Sequence, residues 1–364
     1  MAKKSTVIVG MGSHATGWRR NILAHPDFEL TGIVDTDTEL LENMHLFGLE
    51  DDDGFINIDD YVMDKGVPDL AVIATPIYTH HVLVKEAMDH GINVICEKNM
   101  ASTIYQGRQM VQLALDYPDL TTAIGHQYRF FTRNWLLKAF LQEHNDLGDL
   151  AYMRLASAGN WGEKRRGWRR WLQEVYLEDM APHHFDILRY ITGLDIVQVK
   201  ADTFIPRYSH WQGSSTVFAN LALAHPDDYN HRSNWIWAQY YGDWQARGPK
   251  KNYFDLYFEK GHVQEGGSWL NIARYTDEDG NKWEEDGFLA MDAGDIEHMG
   301  TDYQSQMIIL EQVSRSIDSG GKNQPLNRFT DIFKSFAVSM CAIESSRTGK
   351  AVWVPDTWKG LGIE

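Results

Sequence analysis

The chain has 364 residues, 43% of them hydrophobic, with 51 acidic against 34 basic side chains and a formal net charge of −17. That length can bury a large core and favours two domains, while the acidic balance repels nucleic acid and anionic membrane and leaves a small molecule as the expected partner. No run approaches the roughly 18 apolar residues of a membrane span, and Met1-Ala2-Lys3-Lys4 leads into the first strand without a secretory h-region, so a soluble, cytoplasmic protein is expected. Cys96 and Cys341 are too few for a disulfide framework and receive no role.

Thr6-Val7-Ile8-Val9 is a β-branched run of strand length, broken by Gly10-Met11-Gly12-Ser13-His14-Ala15, after which Trp18, Ile22 and Leu23 recur at helical spacing. A second apolar run, Leu30 to Val34, ends in Asp35, twenty residues beyond Ala15. This is a βαβ unit with a dinucleotide fingerprint. Gly10 permits the tight turn, Gly12 lets backbone approach a pyrophosphate, and Ala15 lets helix lie close on strand. Free N–H groups of Ser13, His14 and Ala15 at the helix start favour the pyrophosphate charge. Asp35 is placed to accept from the adenosine ribose hydroxyls, which favours NAD over NADP.

From Asp35 to about residue 127, strands and helices alternate. Residues 38 to 48 read as a short helix. Asp69 to Ala74 is a continuous apolar strand followed by Thr75-Pro76 and a helix from His80 to His90. Asn93 to Cys96 is the next strand and ends in Glu97-Lys98-Asn99; a helix over Ser102 to Asp116 leads to a strand over Thr122 to Gly125. Five or six parallel strands make a doubly wound sheet that binds its ligand at the carboxyl ends, where Gly10, Asp35, Thr75, Lys98 and His126 fall. Thr75, Pro76, His80, Glu97, Lys98 and Gln127 are accordingly placed toward the cofactor, and Arg129 toward the substrate.

The second half changes pattern. Ala151–Ala156, Val197–Phe204, Ser215–Leu223, Trp235–Tyr241 and Tyr253–Phe258 alternate as strands of a mostly antiparallel sheet with one covered face. Leu177 to Tyr190 reads as one helix, with Pro182 in its first turn and Asp179 at or near the N-cap. Two late helices, Thr301–Asp318 and Arg328–Thr348, should pack on the sheet or on the first domain. The expected fold is α/β: a Rossmann domain over 1–127, and over 128–364 a substrate-binding and oligomerisation domain with a large open sheet.

The glycine turn, Thr75-Pro76 with His80, Glu97-Lys98, the Asp179-x-x-x-His183-x-x-Asp186 segment and the closing Ala342-Ile343-Glu344-Ser345-Ser346-Arg347-Thr348-Gly349-Lys350 resemble the glucose-fructose oxidoreductase, inositol dehydrogenase and MocA family from about residue 5 to 355. The resemblance implies a Rossmann domain, a nicotinamide cofactor and oxidation of a sugar or polyol hydroxyl. Asn99 stands where the family usually has Pro, and Ala181 where it usually has Gly. A homodimer or homotetramer is expected.

Hydride transfer from a carbinol carbon needs a base for the hydroxyl proton and a donor for developing oxygen charge. Lys98 follows a strand at the carboxyl edge, with Glu97 to orient it. Asp179 and His183, four apart, would share a helical face, the carboxylate steadying the imidazole, so His183 is the favoured base. A metal is not expected, because His183 and His184 point about 100° apart and no third ligand is spaced to join them. Trp161, Arg166, Trp168 and Arg169 belong to a stretch, Trp161 to Trp171, with five basic residues among three tryptophans. Tryptophan faces suit sugars and arginine forks suit anions, so an anionic sugar is the expected substrate, read together with Lys98, Arg129, Asp179 and His183. Transient ring oxidation with glycoside cleavage, or a non-catalytic NAD-binding regulator, are the alternatives.

Overall fold

The computed structural model describes residues 2–143, 146–161, 167–265, 270–277, 282–288 and 304–363. They divide into two compact units. One contains the chain up to Gln127 and a later stretch ending at Phe333; the other begins at Tyr128 and resumes at Lys334.

In the first unit, strands β1 (Lys4–Val9), β2 (Phe28–Val34), β3 (Gly54–Phe55), β4 (Leu70–Ile73), β5 (Asn93–Cys96) and β6 (Thr122–Ile124) form one parallel sheet in the order β3-β2-β1-β4-β5-β6. The central strands are apolar because both faces are covered: every residue of β4 is buried. Helices α1 (Ala15–Ala24), α2 (Thr38–Leu41), α3 (Ile58–Lys65), α4 (His80–Asp89) and α5 (Ile104–Asp116) connect them. The first and last β-α starts differ in capping. Thr103 accepts the Gln106 N–H and caps α5, whereas α1 starts at His14 without a side-chain cap.

The second unit contains α6 (Thr132–Glu143), β7 (Leu150–Ala158), α7 (Val175–Asp179), α8 (Ala181–Thr192), β8 (Asp195–Phe204), β9 (Thr216–Ala224), β10 (Ile236–Asp243), β11 (Lys251–Phe258), β12 (Gly261–Glu265), β13 (Leu270–Tyr275) and β14 (Trp283–Phe288). With β15 (Val352–Trp353) these strands make a nine-stranded sheet in which β10 and β7 pair parallel and all other neighbours pair antiparallel. Tyr152, Phe218 and Trp237 stand exposed on one face, and Tyr152–Tyr257 and Phe218–Tyr241 stack there. The helices α9 (Gln304–Asp318) and α10 (Phe329–Thr348) close the chain, and the boundary between the units falls inside α10.

Three expectations change. The residues after 127 do not all belong to the second unit: α9 packs on α1, with the buried Asn21 Nδ2 donating to Gln306 Oε1 at 3.1 Å and Thr121 Oγ1 to Ser316 Oγ at 2.7 Å. The helix over 38–48 is only α2 followed by a 3₁₀ turn, Met44–Phe47. The single helix over 177–190 is two, because Pro182 has no N–H to give a carbonyl one turn back and its ring crowds that carbonyl, so the helix restarts after Met180.

Candidate active site

The cofactor half is built at the carboxyl ends of the parallel strands. Gly10 has φ +87°, and a Cβ there would lie 2.5 Å from Thr75 Cγ2; glycine is required by both conformation and space. At Gly12 a Cβ would meet nothing within 4 Å, so the backbone faces open space beside the uncapped start of α1. A nicotinamide dinucleotide fits this arrangement: the exposed Gly12 and Ser13 backbone and the start of α1 would hold its pyrophosphate. Asp35 Oδ2 accepts the Met11 N–H at 2.7 Å and Oδ1 accepts the Asp37 N–H at 3.0 Å. Asp35 therefore also shapes the glycine turn, a task its position at the end of β2 did not reveal.

Thr75 Oγ1 accepts from Thr79 Oγ1 at 2.7 Å, and Pro76 opens the turn into α4 by accepting the Thr79 N–H. His80 is fully buried between two backbone carbonyls, Nε2 2.9 Å from Thr75 O and Nδ1 2.8 Å from Asn99 O. Burial pushes its imidazole below the usual histidine range against these contacts. His80 thus ties the Thr75 turn to the residue after Lys98 and reaches no solvent, so it supports the cofactor half from behind. Glu97 does not orient the lysine through its ammonium in the contacts resolved: Oε1 accepts Trp18 Nε1–H at 2.7 Å and Oε2 accepts the Lys98 backbone N–H at 3.1 Å. It fixes the backbone from which Lys98 projects. Gln127, buried, ends the first stretch of chain in the first unit.

The substrate half is built on α7 and α8. Asp179 is the last residue of α7, and α8 begins from Met180 without a side-chain cap, so Asp179 is not its N-cap. Nor do Asp179 and His183 lie on one unbroken helix, because Pro182 interrupts it. Asp179 is 1% exposed and its Oδ2 accepts Arg169 Nε–H at 2.8 Å. His183, 2% exposed, stacks on Tyr128, with ring centroids 4.0 Å apart and planes 10° apart. Its neighbour His184 is a core histidine: Nδ1 lies 2.7 Å from Tyr240 Oη, and burial brings its pKa down to about 3. The adjacent histidines are thus both buried but against different tyrosines, which sequence periodicity alone could not separate.

Arg129 is a correction. Its Nε and Nη2 each donate to Asp186 at 2.7 Å, both side chains are buried, and Ser335 Oγ donates to the same carboxylate. The guanidinium is held inside the second unit rather than presented to a substrate. Arg169 donates through Nε to Asp179, and its guanidinium lies 4.8 Å from the Trp168 ring. The Trp161 backbone N–H donates to Trp244 O at 2.9 Å, and Lys250 Nζ lies 4.6 Å from the Trp161 ring centre. Arg166 lies outside the described residues. Tyr128 was missed: its partner is distant in sequence, and no local pattern marks the contact. Among the described residues no cluster of His, Cys, Asp or Glu could hold a metal ion.

Residues 4–122 match the family model for the oxidoreductase family, NAD-binding Rossmann fold, and residues 137–264 match the GFO/IDH/MocA C-terminal domain. The rhizopine catabolism protein MocA of Rhizobium meliloti is 27% identical over 168 residues, 46% of this chain and 48% of that protein. An inositol 2-dehydrogenase of an Arthrobacter species is 23% identical over 141 residues, 39% of this chain and 40% of that one. The chain spans about half the length of these curated relatives, or less. Levoglucosan dehydrogenase, solved with NADH and L-sorbose, has the same fold, with TM-score 0.79 and 19% identity over 98% of this chain and all of that one. No helix among the described residues is long and apolar enough to cross a membrane. With the two domain models matched in succession over well over half its length, the chain belongs to the Gfo/Idh/MocA oxidoreductase family and carries its NAD-binding Rossmann fold.

Proposed function

We propose that the protein is an NAD-dependent dehydrogenase acting on a hydroxyl-bearing carbon of a sugar, sugar acid or polyol. The observation that carries this reading is the environment of His183, a buried histidine stacked on an aromatic ring and four residues beyond Asp179 of the Asp179–Arg169 pair, in a chain whose first unit carries Lys98 just after β5. A bound nicotinamide would supply the hydride acceptor for oxidation of the carbinol carbon to a carbonyl. His183 takes the hydroxyl proton, Lys98 donates to the substrate oxygen as charge develops there, and Asp179 supplies negative charge near the imidazolium. The Trp161 and Trp168 rings offer apolar faces to the sugar.

Arg169 is paired with Asp179, whereas Arg170, also in the described part of the Trp161–Trp171 stretch, is an exposed cation. The exposed aromatic face of the second sheet, with a cavity of about 330 Å³ among Lys200, Asp202, Phe218, Asn220, Gln239 and Tyr241, is where a second copy would pair to give a homodimer.

A panel of polyols, aldoses and glycosides incubated with NAD tests the reading. NADH release on a free sugar or polyol is the expected result. Glycoside cleavage without net NADH, or tight NAD binding with neither reaction, would overturn it in favour of redox-assisted cleavage or of a regulator.

A further inference from the structure

We propose that Tyr128 is the positioning residue for His183: its ring fixes the plane of the imidazole and favours the imidazolium over the neutral form. This rests on the reading of His183 as the base. The two rings lie face to face at 4.0 Å and 10°, so the imidazole presents its nitrogens edge-on and cannot turn about its own axis without striking the phenol ring.

Tyr128 is itself held on three sides. Its ring packs on Phe131 with centroids 4.4 Å apart, and its carbonyl accepts Asn134 Nδ2–H at 2.6 Å. The next residue, Arg129, makes two 2.7 Å bonds to Asp186, which lies three residues beyond His183 on α8. Two successive residues, 128 and 129, therefore grip one turn of α8: one holds the imidazole and the other the carboxylate below it.

The imidazole lies over the phenol face within the range at which a cation is attracted by an aromatic quadrupole, so the stack favours the charged form of His183. Among the other charged groups, Arg133 lies 5.5 Å from the ring of Phe131, which packs on Tyr128, and its charge opposes protonation of the neighbouring His184. Asp179 and Asp186 each have a guanidinium partner, Arg169 and Arg129. Tyr176 donates to Ser157 O, and His184 is held at Tyr240. The ring of Tyr128 is a local bias on the protonation of His183 that acts beside these charges.

The test is a histidine-selective NMR titration of the protein without substrate, with the His183 signal assigned by its loss in His183→Asn. Tyr128→Leu should lower the His183 midpoint by about 0.4–1.5 pH units, the equivalent of one cation–π contact, while Tyr128→Phe should hold it near the parent value. Should the leucine variant fail to fold, Tyr128→Met gives the same reading. A midpoint unchanged in the leucine or methionine variant would overturn the proposal. In turnover, Tyr128→Leu should lower kcat with KM for NAD unchanged, and Tyr128→Phe should restore it. Absence of NADH formation by the parent on every sugar would defeat the dehydrogenase reading while leaving the titration to decide the role of Tyr128 separately.

Discussion

Asp179, one of the most deeply buried carboxylates of the second unit, faces an arginine rather than capping a helix, and this changes what its substitution and that of its partner should do. Arg169→Ala leaves a buried carboxylate without its 2.8 Å donor, so kcat should fall with little change in the ratio of neutral to anionic sugar use. Kinetics on matched neutral and anionic sugars check this, and a selective loss of the anionic one would return Arg169 to the role of anion reader. For His183, replacement by Asn should lower kcat by about 10²- to 10⁴-fold with NAD affinity retained, measured by turnover and by NAD titration. Asp35 serves two purposes: it accepts the Met11 and Asp37 amides and is placed to repel a 2′-phosphate. Asp35→Ala should therefore narrow the NAD preference and also weaken NAD itself, because the glycine turn loses an anchor. Calorimetric titration with both dinucleotides separates the two effects.

At the scale of elements, the βαβ start was legible because each of its demands falls on a residue type: β-branched strand, glycine at φ +87°, small residue, acid at the next strand end. Gly10→Ala should cost about 1–3 kcal/mol from backbone conformation alone, before the contact with Thr75 is relieved, and should abolish NAD binding; thermal melts and NAD titration measure both. The α7–α8 break was only half legible. Pro182 was rightly placed in a first turn, but the residues before it keep helical periodicity, so two helices read as one. Arg129 was misread for a different reason: a carboxylate 57 residues away claims it, and sequence spacing carries no signal of that kind. Arg129→Met should destabilise by about 3–5 kcal/mol, by leaving Asp186 buried with an uncompensated charge, and should leave KM of the folded fraction unchanged. The closing motif was legible as a pattern but not as a device. Its Ser345 and Ser346 hydroxyls accept the Ala201 and Thr203 N–H groups of β8, where β15 is too short to pair them.

Across the whole molecule, two buried groups set how stability should respond to acid, and they act in different windows. His184 is held neutral, its pKa brought down to about 3 by burial and by the charge of Arg133. The unfolded chain binds a proton at its ordinary value near 6.5 while the folded chain does not, so stability is lost as pH falls from about 6.5 toward 3, by about 1.4 kcal/mol per pH unit at most. Asp195 works lower. Burial alone would raise its carboxyl, but Arg189, Tyr229 and Lys334 outweigh that and hold it at about 2. Its contribution is complete above the ordinary carboxylate value of 3.8 and is lost as pH falls from there through 2. The acid limb of a stability curve should therefore have two parts, a long slope below pH 6.5 from neutral histidine and a steeper end below pH 4 as the Asp195 network is titrated. Urea melts at closely spaced pH values resolve them. His184→Phe should flatten the first part and spare the second, since a phenyl ring keeps the buried volume and removes the titrating nitrogen. Asp195→Asn should do the reverse, starting from lower stability at neutral pH because Arg189 and Lys334 then lose a charged partner. A His184→Phe curve still as steep as the parent between pH 6.5 and 4 would mean that another group, with His80 the first to examine, governs the acid response.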